Sequence, residues 1–131
     1  MVPVITLTTD WGPLDHYTGA VKGAIISRLP EAGIIDFTHS IPPFDVKKAS
    51  FILRNAYSYF PEGSIHIIGV NTEESEATPH VAILYKNHYF IGADNGVFAL
   101  MFNSRPEKIV ELNITQDTGY FTFSTRDRFV K

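Results

Sequence analysis

Asp10 and Asp15 stand on either side of Gly12-Pro13 near the start of the chain. A carboxylate in such a place can accept both hydrogen bonds of a vicinal diol, and a second can pair with an ammonium group. The same residues suit a structural role, with Asp10 capping a turn and Asp15 capping a following helix. Residue type alone leaves both readings open. His39, within Thr38-His39-Ser40-Ile41-Pro42-Pro43-Phe44-Asp45, suits a base, a ligand, or a hydrogen-bonded anchor for its own loop. The segment Asn71-Thr72-Glu73-Glu74-Ser75-Glu76 is polar and acidic, as either a site loop or a solvated turn would be. Trp11, Phe44, Tyr57 and Tyr59 are able to stack on a flat ligand, although most aromatic side chains fill a core.

Several chemistries are disfavoured. His16, His66, His80 and His88 show no metal-ligand spacing with one another or with a carboxylate pair, so no metal is expected. Glycines 12, 19 and 23 do not form a phosphate-cradling loop, and with no cysteine there is no thiolate nucleophile. The net charge is -3 and the eleven Lys and Arg are scattered, so no nucleic-acid footprint is expected. No apolar run approaches the roughly twenty residues of a membrane span, and the first residues lack the pattern of a signal peptide. A cytoplasmic protein is the expectation.

The elements that would carry these residues alternate. Residues 2–8 are apolar and β-rich and end in the turn cluster Thr8-Thr9-Asp10-Trp11-Gly12-Pro13, as a buried first strand would. From about residue 14 to 29, apolar positions at Tyr17, Ala20, Val21, Ala24, Ile25 and Leu29 follow helical spacing, and Pro30 stops them. Residues 33–37 read as a short buried strand, and a second helix starts near Asp45, a good cap. It carries Val46, Ala49, Ile52, Leu53, Ala56 and Tyr57 on one side, and residues 64–70 follow as a third strand. Strands joined by helices and reading as solid apolar runs predict parallel pairing. The pattern then changes, since residues 81–85 and 88–91 flank Lys86-Asn87 as a hairpin would. A short helix over 96–102 and a strand over 109–112 complete the reading. The fold class is therefore α/β in a single domain of 131 residues, with a mainly parallel sheet and an added hairpin. In such a sheet, ligands sit beyond the carboxyl ends of the strands, where Asp10, His39 and Asn71 fall.

Thr9-Asp10-Trp11-Gly12, Asp15-x-Tyr17-x-Gly19, Lys22-Gly23 and Ile35-Asp36-x-Thr38-His39-x-Ile41-Pro42-Pro43 together resemble the SAM hydroxide adenosyltransferase and SAM-dependent halogenase family. Phe60-Pro61-Glu62-Gly63-Ser64 and Ala93-Asp94-Asn95-Gly96 resemble two further signatures of that family. The resemblance implies a Rossmann-like three-layer domain. It also implies displacement of methionine from the ribose 5′ carbon of S-adenosylmethionine by water, hydroxide or halide. On the matching positions, Asp10 would hold the ribose hydroxyls, and Asp15, with Tyr17, the methionine ammonium. Trp11 would line the nucleoside, and Phe44 would wall the reacting carbon. S-adenosylmethionine is substrate in this chemistry, and no separate cofactor is implied.

The chain departs from the family at the place of attack. Where the hydrolases carry Val-Asp-Pro-Gly-Val-Gly and paired arginines, this chain has Val70-Asn71-Thr72-Glu73-Glu74, so Asn71 replaces the Asp. Where they carry Phe-His-Gly-Arg-Asp, it has Phe123-Ser124-Thr125-Arg126-Asp127, without the His. The halogenases place a halide-binding hydroxyl where Glu74 stands, and a carboxylate repels a halide. Asn71, Ser124 and Thr125 remain as neutral groups to orient a water, with Glu74 or Glu73 as a base.

The family continues past the Arg-Asp motif into a β-rich C-terminal domain, and a neighbouring subunit of a homotrimer completes its site. Residues 1–131 thus resemble the N-terminal domain, truncated at its C-terminal end. The leading expectation is hydrolysis of S-adenosyl-L-methionine to adenosine and L-methionine in the full-length context. The alternative is a non-catalytic module that binds adenosine or S-adenosylmethionine through a degenerate site.

Overall fold

The computed structural model describes residues 3–10, 16–42, 45–70, 80–93 and 96–112, the side chains of residues 16 and 17 excepted. The elements run β1 (Val4–Thr9), α1 (His16–Arg28), β2 (Gly33–Thr38), α2 (Val46–Ala56), β3 (Ile65–Gly69), β4 (His80–Tyr85), β5 (His88–Ala93), α3 (Val97–Met101) and β6 (Lys108–Glu111). A single 3-10 turn, Tyr57–Tyr59, follows α2. The helical spacing of the sequence ran through Tyr57, but the last turn tightens ahead of Pro61.

Six strands form one sheet in the order β2-β1-β3-β5-β4-β6. β1 pairs in parallel with β2 and β3, and β3 pairs in parallel with β5. β4 is antiparallel to both β5 and β6, so it alone runs against the others. The α/β class expected from the sequence is what the chain adopts. The β4–β5 turn places Lys86 at φ 50° and Asn87 at φ 66°. Left-handed values at both central residues are those of the tight hairpin turn whose twist matches its strands, and Asn tolerates them well. Gly63, at φ 90°, donates its N–H to the Asn87 carbonyl at 2.6 Å, which ties this turn to the entry of β3.

Alternation along the strands divides the core. On one side of the sheet, Ile5 and Leu7 of β1 and Ile67 of β3 pack with Val21 and Ile25 of α1. On the other, Ile68, Ile83, Tyr85 and Phe90 pack with Ala49 and Leu53 of α2 and with Val97, Phe98 and Met101 of α3. α2 starts where expected, since the Asp45 carboxylate accepts the Lys48 N–H at 3.0 Å. One local expectation fails. β2 is an edge strand rather than a buried one, and Ile35 is 43% exposed, because α1 and α2 cover the middle of the sheet first. That exposure leaves Asp36 free to meet Lys22 from α1.

Candidate functional site

β1, β2 and β3 are neighbours and parallel, so Thr9-Asp10, Thr38-His39 and Gly69-Val70 end at one edge of the sheet. Three bonds tie that edge. The Asp10 N–H donates to the Gly69 carbonyl at 3.2 Å, and the Ile41 N–H donates to the Thr9 carbonyl at 3.3 Å. Thr9 Oγ1 and His39 Nδ1 lie 2.6 Å apart. Asp10 is half-buried at the mouth, with its backbone pinned to β3 and its predecessor pinned to the loop after β2.

From this edge the line of bonds continues outward through His39. Its Nε2 is 2.7 Å from Asp36 Oδ1, and the other Asp36 oxygen accepts from Lys22 Nζ at 2.6 Å. Burial pushes the Asp36 pKa up, but the bonds from Lys22 and His39 outweigh it and hold the carboxyl below its ordinary value. An ionised carboxylate only accepts, so the proton shared with Asp36 sits on His39 Nε2. In neutral His39, Nδ1 then accepts the Thr9 hydroxyl. Of the roles open to His39, this geometry supports the loop anchor.

A second polar system lies inside the core. Thr6 and His66 face each other in register, with Thr6 Oγ1 2.7 Å from His66 Nδ1. His66 Nε2 is 3.1 Å from His88 Nδ1, and all three side chains are buried. The His66 ring stacks on Phe90 at 4.9 Å, while the edge of Tyr57 meets His88 at 5.1 Å. Burial and the neighbouring His88 push His66 down to about 4, so it is neutral near pH 7. Sequence spacing gave no role to His66 or His88, because their partners come from strands far apart in the chain.

Of the residues singled out in the sequence, Asp10 and His39 meet at the carboxyl edge, as placed above. Tyr57 is a core residue, and Tyr59 is 86% exposed. Tyr17 lies in the first turn of α1, and its side chain falls outside the described residues, as do Trp11, Asp15, Phe44, Asn71, Glu74, Ser124 and Thr125. Among the described residues no three of His, Asp and Glu converge as a set able to hold a metal ion. No helix of the described residues is long and apolar enough to cross a membrane.

Residues 5–131 match the family described as the SAM hydroxide adenosyltransferase N-terminal domain. The chain is similar to an (R)-S-adenosyl-L-methionine hydrolase of Methanocaldococcus jannaschii, at 33% identity over 97% of this chain and 50% of that protein. A Thermus thermophilus protein of the same name is 34% identical over 82% of this chain and 42% of its own length. Among solved structures, an uncharacterized conserved protein from Thermotoga maritima superimposes with a TM-score of 0.85 at 32% identity, covering 96% of this chain and 50% of the other. The chain thus spans about half the length of the relatives it matches.

Proposed function

The chain belongs to the SAM hydroxide adenosyltransferase family, and we propose that its carboxyl-edge site takes the nucleoside end of (R)-S-adenosyl-L-methionine. In the whole protein, water attacks the ribose 5′ carbon and releases adenosine and L-methionine. The observation that supports this reading best is the anchoring of Asp10, which ties a half-buried carboxylate by its backbone where an α/β sheet of this kind receives ligands.

In this reading Asp10 accepts the ribose hydroxyls, Asp15 and Tyr17 take the methionine ammonium, and Trp11 and Phe44 wall the nucleoside. The new bond joins the water oxygen to the 5′ carbon while the carbon–sulfur bond breaks. The sulfonium keeps that electron pair as the thioether of methionine, so the leaving group needs no acid. What the protein supplies is alignment and fixed dipoles around the attacking water. Asn71, Ser124 and Thr125 orient the water, and Glu74 receives its proton. The domain is Rossmann-like, and the other half of the relatives' length supplies a β-rich C-terminal domain. A homotrimer in the cytoplasm then completes the site across subunits. The half-exposed Tyr89 and Val110 support a covering partner, since they share one side of the sheet with Leu84 and Ala82.

A second reading is favoured by Asn71 and Ser124, which stand where the family's hydrolases carry Asp and His. Binding then survives without turnover, and the protein retains adenosine or S-adenosylmethionine. Chromatography of each sulfur epimer of S-adenosylmethionine incubated with the protein separates the two. Adenosine and methionine in equal amounts, faster from the R epimer, establish hydrolysis. Calorimetric binding without products establishes the retaining module, and neither binding nor turnover removes both readings.

A further inference from the structure

Lys22, Asp36 and His39 have no part in the chemistry proposed above, yet they form an unbroken line that ends one residue from Asp10. The line runs Lys22 Nζ to Asp36 Oδ2 at 2.6 Å, Asp36 Oδ1 to His39 Nε2 at 2.7 Å, and His39 Nδ1 to Thr9 Oγ1 at 2.6 Å. These are lengths typical of charge-assisted and other strong hydrogen bonds. The line also becomes less exposed toward its end. Lys22 and Asp36 are 34% and 38% exposed, His39 is 12% exposed, and Thr9 is fully buried.

The geometry points to His39 as a positioning residue that fixes the end of β1 and thereby the direction of the Asp10 carboxylate toward a ribose diol. This inference rests on the proposed nucleoside-binding role of Asp10. Thr9 is gripped twice by the loop after β2, through its hydroxyl by His39 and through its carbonyl by Ile41. Asp10 is gripped on its other flank by Gly69. Removing the His39 ring leaves Ile41 and Gly69 in place but takes away the bond between the Thr9 hydroxyl and the loop after β2, so the strand end can twist about its remaining bonds. A bidentate contact with a diol depends on direction and loses more from such a twist than stacking on the base does. Asp36 acts one step further back, by fixing the ring and its tautomer, and Lys22 acts a step behind that.

The test compares adenosine with 2′-deoxyadenosine by calorimetry on wild-type protein and on Asp10→Ala, His39→Ala, Asp36→Asn and Lys22→Met, with circular dichroism to verify folding. Wild type is expected to prefer adenosine at least tenfold, and Asp10→Ala to abolish that preference. His39→Ala should reduce the preference about tenfold while changing 2′-deoxyadenosine affinity less than threefold. Asp36→Asn should reduce it about threefold, and Lys22→Met less than twofold. A preference lost in Asp10→Ala but intact in His39→Ala overturns the positioning role alone. Equal losses for both nucleosides in His39→Ala overturn it as well, since they report general damage. A wild type without preference overturns the ribose assignment of Asp10 and the inference with it. Should His39→Ala fail to fold, the graded response of Asp36→Asn and Lys22→Met decides, and a flat response rejects the line.

Discussion

Thr6 and Thr9 belong to the same strand, and each faces a histidine ring at hydrogen-bonding distance. Thr6 joins His66 and His88 among Tyr57 and Phe90, where among the described residues no carboxylate bonds to them and burial keeps His66 neutral. Thr9 joins His39 at the strand end, where the ring meets a carboxylate that a lysine also holds. One pairing of side chains thus serves two ends. In the core it satisfies polar groups that would otherwise be orphaned. At the edge it ties the end of β1, next to the half-buried Asp10, to the loop after β2. Two residues of strand, Leu7 and Thr8, separate the two, and the difference comes from what lies behind each imidazole.

The comparison breaks most readily in the core. His66→Ala should cost roughly 3–5 kcal/mol, because it opens a cavity beside Phe90 and orphans both Thr6 and His88. Urea unfolding measures this. A loss below about 1 kcal/mol would mean that the core pair is no more structural than the edge pair.

Acid should act on the two regions in different windows. The folded pKa of His66 is depressed to about 4 from an ordinary 6.5, so between these values the unfolded chain binds a proton that the native chain refuses. Its contribution is complete above about pH 6.5 and is lost as pH falls toward 4. A shift of that size corresponds to about 3 kcal/mol. The Asp36 pKa is also lowered, so its contribution is present above its ordinary 3.8 and fades only as pH falls through its lower folded value. Urea midpoints from pH 7 to 4 should therefore drop steeply in wild type and much less in His66→Leu, whereas Asp36→Asn should leave that interval unchanged.

Much of the fold was legible in the sequence. Solid apolar runs marked β1 and β3, Asp45 marked the start of α2, and Lys86-Asn87 marked the hairpin, because each is a local preference. Partnership across the sheet was not local. Thr6 and His66 are sixty residues apart and meet only because β1 and β3 pair in a particular register. Asp36 read as part of a buried strand, and only the edge position of β2 exposes it to Lys22. The strand order that brings β6 beside β4 also had no local signal. At the site, Asp10 and His39 were visible as candidates by type and place, but the bonds of His39 to Thr9 and Asp36, and of Asp10 to Gly69, were not.

A smaller effect tests how closely the core is packed around its polar pair. A Cβ on Gly92 would lie 3.1 Å from the Ile68 carbonyl oxygen and 3.3 Å from both Ile68 Cβ and Phe98 Cζ. The first of these is backbone of the central strand β3, which has little room to shift. Gly92→Ala should therefore destabilise the chain by about 2 kcal/mol through overpacking. A neutral or stabilising result in urea would show that the core relaxes around an added methyl, and would weaken its contrast with the edge.

The smallest stability effect should come from Asp36→Asn, and its smallness is what gives it meaning. Asp36 is 38% exposed, its lysine partner 34%, and ion pairs in such contact with water contribute little to folding. The change in unfolding free energy should stay under about 0.5 kcal/mol. The same substitution should still reduce the preference for adenosine over 2′-deoxyadenosine about threefold, since the amide no longer fixes the His39 ring as the carboxylate does. A residue that matters to recognition and hardly at all to stability is what a positioning role requires. If Asp36→Asn instead lowered stability by more than about 1 kcal/mol and left nucleoside preference alone, the edge pair would belong with the core pair, and both threonine–histidine contacts would be structural.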